Sequence, residues 1–141
     1  MKKIALILIP LFVMVVAACA ADDKAEKGIQ FYDKSWKEVA AKAGKEKKLV
    51  FMDIYTSWCG PCKMLRKTTF TDKGVGDYFN ANFVNTSVDA EKGEGVQLAE
   101  KYHIEAYPTL LILDKDGNEL GRQLGFMPAE GLLRFGQSVK K

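Results

Sequence analysis

Apolar positions recur along this chain in two rhythms, one helical and one extended. Trp36, Val39, Ala40 and Ala43 stand at i, i+3, i+4 and i+7, which predicts an amphipathic helix over 33–43 with Gly44 as its stop. The run 49–55, Leu-Val-Phe-Met-Asp-Ile-Tyr, is apolar but for Asp53 and reads as a buried parallel strand. A helix follows from Pro61, and on it Cys62, Leu65 and Thr69 share a face while Lys63, Arg66 and Lys67 point elsewhere. A short helix over 72–80 leads to a second parallel strand over 83–88. The next helix spans 94–103, with Val96, Ala99 and His103 on one stripe. Residues 109–113 form another core strand, and the turn 114–117 hands over to an antiparallel partner around 119–124. Pro128 opens a last helix in which Leu132, Phe135, Gly136 and Val139 recur at helical spacing. Parallel strands first and a hairpin last predict a three-layer α/β/α sandwich around a mixed central sheet.

The first residues follow a different pattern. Lys2 and Lys3 precede an apolar stretch over 4–18, the layout of a secretory signal. An uncleaved membrane helix is the alternative, because the apolar run reaches the lower edge of a span. Pro10 and the small-residue end Ala17-Ala18-Cys19-Ala20 favour cleavage. Val16-Ala17-Ala18-Cys19 resembles the lipobox of bacterial lipoproteins, which predicts lipidation at Cys19. Ala18-Cys19-Ala20 also suits ordinary signal peptidase, which would discard that cysteine. The expected organisation is a leader over 1–18, a tether over 19–28 and one domain over 29–141. A single acyl anchor set would hold it on a membrane without spanning it.

Taking eighteen leader residues from 141 leaves 123, enough for one domain with its own core. Losing Lys2 and Lys3 lowers the formal charge from +3 to +1, with Lys and Arg dispersed among Asp and Glu. Charge therefore gives no reason to expect a nucleic-acid partner. Two cysteines in the domain are too few for a disulfide scaffold.

Those two, in Trp58-Cys59-Gly60-Pro61-Cys62, fall where a strand feeds a helix, Cys59 at its N-terminus and Cys62 one turn in. Positions i and i+3 share a helix face, within reach of a disulfide. The partial positive charge of the helix N-terminus favours a thiolate at Cys59. Cys62 is expected to be the buried sulfur and Cys59 the exposed one. A structural disulfide or half of a zinc site are the other readings, but zinc needs about four ligands and the domain adds only His103 besides carboxylates. No metal and no cofactor are expected. His103 reads as a helix-end residue and the lysines over 45–48 as a solvated loop.

W-C-G-P-C at 58–62, Asp53 six residues before Cys59, and Y-P-T at 107–109 together resemble the thioredoxin family over roughly 48–140. Thr68-Thr69-Phe70-Thr71-Asp72 and Gly125-Phe126-Met127 further resemble the C-terminal thioredoxin-like domain of the membrane thiol–disulfide interchange protein. The resemblance implies Cys59 as nucleophile, Cys62 as resolving thiol and Asp53 as a buried base toward Cys62; a solvent-facing Asp53 is the alternative. It implies a cis Tyr107–Pro108 bond, and a substrate groove formed by Trp58, Gly60, Pro61, Tyr107, Pro108, Gly125 and Phe126. Asn85 stands where many thioredoxins carry a lysine that pairs with the buried Asp, so the ionised form of Asp53 is expected to lose support. Tyr55 replaces a second tryptophan, and Lys67 a helix-kinking proline.

The function implied is a monomeric reductase of disulfides in exported proteins, working in the periplasm or cell envelope and recharged by a membrane electron carrier. An oxidase or isomerase with the same residues is one alternative. A redox-silent binding module on the same fold, serving envelope assembly, is another.

Overall fold

A computed structural model describes residues 28–139. The expected leader, Cys19 and the tether as far as residue 27 lie outside the described residues. Nine elements follow in order: α1 (Trp36–Glu46), β1 (Leu49–Tyr55), α2 (Gly60–Thr68), α3 (Lys73–Asn82), β2 (Phe83–Asp89), α4 (Glu94–Lys101), β3 (Thr109–Leu113), β4 (Glu119–Leu124) and α5 (Ala129–Ser138). The strands form one sheet in the order β2-β1-β3-β4. β1 runs parallel to β2 and antiparallel to β3, and β4 closes the sheet antiparallel to β3. This is the mixed α/β sandwich that the apolar pattern predicts. Among the described residues no helix is long and apolar enough to cross a membrane.

Strand alternation divides the core between the two faces of the sheet. Val50, Met52 and Ile54 meet Val39 and Ala43 of α1 and Leu98 of α4. Phe51 turns the other way, to Leu65 of α2, Phe79 of α3 and Leu132 of α5. Asp53 has the parity of Phe51, so its carboxylate faces the layer that carries the cysteines. The β2 edge is covered by the leading segment. Phe31 bridges Asn85 in parallel, Tyr32 N–H donates to Asn85 O at 2.7 Å, and Asp33 Oδ1 accepts Ser87 N–H at 3.0 Å. That cover hides the donors and acceptors of an open edge, and it delivers Asp33 beside β2.

Two helices differ most from the sequence reading, while α3 runs two residues past its expected end. α1 starts three residues later, because Ser35 and Glu38 form a reciprocal capping box, and it continues through Gly44 to a left-handed Lys47 (φ 54°). α4 ends at Lys101 and buries Gly95 and Leu98, with Tyr102 buried at its C-cap, while Val96 is 48% exposed. The helix is rotated by one position because Gly95 lies against β2: a Cβ there would stand 2.0 Å from Asp89 O.

A second close approach joins the leading segment to α3. Gly28 (φ +100°) is buried, and a Cβ on Gly76 would lie 2.5 Å from the Gly28 carbonyl. Gly76→Ala should therefore destabilise the domain by about 1–3 kcal/mol through overpacking, despite a helix-propensity gain of about 1 kcal/mol. A urea midpoint equal to or above that of the wild type would show that the backbones separate without cost.

Candidate active site

The site is built where β1 ends and α2 begins. Cys59 is the N-cap of α2 in an extended conformation, Pro61 occupies the first turn, and Cys59 Sγ accepts the Cys62 N–H at 3.2 Å. The two sulfurs are joined as a disulfide across Cα atoms 5.3 Å apart. Cys62 is 2% exposed, as expected, but Cys59 is only 3% exposed. The expectation of an exposed Cys59 thus fails for the oxidised state. Capping draws its sulfur back over the first turn, where it is bonded to Cys62.

Asp53 lies on β1 at 1% exposure, opposite Ser87 on β2 and Leu110 on β3. Its Oδ2 accepts the Ser87 hydroxyl at 3.0 Å and Arg66 Nη2 at 3.4 Å. Arg66 Nη2 also donates to Ser87 Oγ at 2.6 Å, closing a triangle. Asp53 Oδ1 is buried with no hydrogen-bond partner among the described residues. Burial pushes the Asp53 carboxyl up to about 6, against the downward pull of Arg66 and of the Ser87 hydrogen bond; Asp33 adds a small upward push.

The helical projection turns Arg66 away from the site, and the structure places it within it. It stands one turn beyond Cys62 on α2, with its guanidinium carbon 3.5 Å from the centre of the Tyr55 ring. The missing strand lysine is therefore replaced by a cation from another element. Asn85, at the lysine's place, instead sends its amide to Gln30 O at 3.3 Å and Asn80 Oδ1 at 3.1 Å. The i, i+4 spacing of Cys62 and Arg66 was the available signal, but it could not say which way a long side chain bends. Tyr55 and Arg66 line two cavities. One, of about 330 Å³, opens beside Asp33 and Ser87, and the other, of about 270 Å³, beside Cys62 and Thr56.

An exposed surface adjoins the pair. Trp58 is 64% exposed, donates Nε1–H to Glu91 at 2.9 Å and meets the Tyr107 ring edge-on at 5.9 Å. The Tyr107–Pro108 bond is cis. The Pro108 carbonyl accepts Gly125 N–H at 2.8 Å, which places the exposed side chains of Leu124 and Phe126 beside this loop. Gly60 and Pro61 are exposed between the sulfurs. Trp58, Tyr107, Pro108, Gly125 and Phe126 are thus contiguous. Glu91 and Leu124 also belong to this surface and were missed. Nothing in their local spacing marks them, because chain crossings bring them there. His103 lies past the end of α4 with φ 50°.

The chain matches the thioredoxin-like domain family over residues 36–140. It is 33% identical over 105 residues to the thiol:disulfide interchange protein DsbD of Yersinia enterocolitica, covering 72% of this chain but 18% of that protein. The chain therefore spans less than a fifth of the DsbD relatives it matches. Among solved structures it resembles a proposed disulphide-isomerase from Bacteroides thetaiotaomicron, with 45% identity, 82% of this chain and 98% of that one covered, and a TM-score of 0.71. The reduced C-terminal domain of Neisseria meningitidis DsbD is similar at 26% identity, with 74% and 93% covered and a TM-score of 0.62.

Proposed function

The chain belongs to the thioredoxin-like family and is a thiol–disulfide oxidoreductase; from that premise we propose that it reduces disulfides of exported proteins. The observation that carries the reading is the Cys59–Cys62 pair itself, placed on the N-terminus of α2 with Cys59 as the cap. The Cys59 thiolate attacks a target disulfide, forms a mixed disulfide and releases one target thiolate. Cys62 passes its proton to Asp53 and attacks the Cys59 sulfur, releasing the second target thiol. Two electrons have then moved to the target, and Cys59–Cys62 is oxidised. An upstream membrane electron carrier returns those electrons. Trp58, Tyr107, Pro108, Gly125 and Phe126 hold the extended target segment, with Gly60 and Pro61 beneath it.

The reductive direction is favoured by Gly60 and Pro61, which put no donor or charge between the sulfurs to stabilise the dithiol form. Export to the periplasm is favoured by the signal-like pattern of residues 2–18 and by the similarity to DsbD proteins, and a lipid anchor at Cys19 by the lipobox-like Val16-Ala17-Ala18-Cys19 alone. Equilibrating the pair against glutathione tests the direction. A potential near thioredoxin's, about −270 mV, is expected, together with dithiothreitol-driven insulin reduction; a value above about −180 mV would make it an oxidase or isomerase. Absence of any exchange would leave a binding module.

A further inference from the structure

We propose that Arg66 is a positioning residue for the resolving step: stacked on Tyr55 and joined to Ser87, it holds Asp53 ready to take the Cys62 proton. This rests on the reading of Asp53 as the base toward Cys62. Three contacts fix the guanidinium: the Tyr55 ring at 3.5 Å, Ser87 Oγ at 2.6 Å and Asp53 Oδ2 at 3.4 Å. A planar, permanently charged group can stack and donate in this way at once. All three anchors also lie on the strands below α2, so the side chain is tied across the layer and not along its own helix.

The charged groups around Asp53 leave this task to Arg66. The leading segment presents Asp33, which opposes ionisation, and β3 presents Leu110. β2 presents Ser87 and, two residues on, Asp89, which is paired to Lys92 at 3.2 Å. Lys63 of α2 and Lys92 line the cavity beside Cys62, but it is Arg66, one turn from Cys62, that reaches Asp53. Arg66 also lines both the cavity beside Cys62 and the cavity beside Ser87. The burial that raises the Asp53 carboxyl makes such a cation necessary near neutral pH.

The test uses Arg66→Gln and Arg66→Lys in the full chain. Two readouts are followed: the Asp53 carboxylate by carbon-13 NMR titration of the oxidised protein, and the pH profile of mixed-disulfide release in a single turnover. Arg66→Gln should raise the Asp53 midpoint by about one unit, tenfold in its ionisation constant, and shift the release profile to higher pH by a similar amount. Arg66→Lys should restore more than half of both. A midpoint unmoved in Arg66→Gln, or no better in Arg66→Lys than in Arg66→Gln, overturns the assignment. Asp53→Asn separates the two readings: release with an unchanged pH profile in that variant overturns the proton role, even where Arg66 still sets the carboxylate midpoint.

Discussion

A Cys59→Ser chain should lose disulfide reduction by more than about a thousandfold, while Cys62→Ser should keep the first attack and stall. The difference follows from the positions of the two sulfurs. Cys59 caps α2, where unpaired backbone N–H groups favour a thiolate, and a serine hydroxyl there remains protonated and non-nucleophilic. Cys62 lies one turn inward, and losing it removes only the group that releases the target. The Cys62→Ser chain should therefore accumulate a stable adduct, seen as a mass increase that reductant reverses. Unfolding does not account for either loss. A disulfide closing so short a loop constrains the unfolded chain by only about 2 kcal/mol. Equal insulin turnover by Cys59→Ser and the wild type would end the nucleophile assignment. An adduct on Cys59→Ser, and none on Cys62→Ser, would exchange the two roles.

Most of the fold was legible because its signals are local. β1 and β3 are near-continuous apolar runs, Asp114 and Gly117 mark the hairpin, and Pro128 marks the start of α5. The cysteine pair and Asp53 were legible for a related reason: each breaks the pattern around it. What was not legible depends on how elements rotate or cross. Val96 and Gly95 are neighbours on α4, and only contact with the Asp89 carbonyl decides which faces inward. Arg66 is an exposed-looking position in any helical projection. Its fate was decided by Tyr55 and Ser87, residues 11 and 21 positions away that no spacing rule connects to it. The departure at Asn85 was visible, but its replacement was not, because the replacing cation comes from α2 and not from the same strand.

Asp53→Asn should make the oxidised domain more stable at pH 8 by up to about 3 kcal/mol, on the order of 10 °C in Tm, while slowing mixed-disulfide release. An ordinary aspartate loses its proton near 3.8, and in the folded chain this one holds it to about 6. Below 3.8 both folded and unfolded chains are protonated, and burial carries no charge penalty. Between 3.8 and 6 the unfolded chain ionises first, so stability drains as pH rises, and above 6 the deficit of about two units stands in full. Asparagine has no proton to lose, so the gain should be absent at pH 3.5, grow through pH 5 and level off above pH 7. Arg66, left without its anion, trims the gain. Urea unfolding across that range reads it directly; a gain independent of pH, or a loss at pH 8, would show that Asp53 is not held protonated by burial. Release of the target should slow at the same time, since Cys62 then has no base to take its proton. A residue that costs stability and speeds one step is a charge kept buried for chemistry. The two measurements on one variant must therefore move in opposite directions.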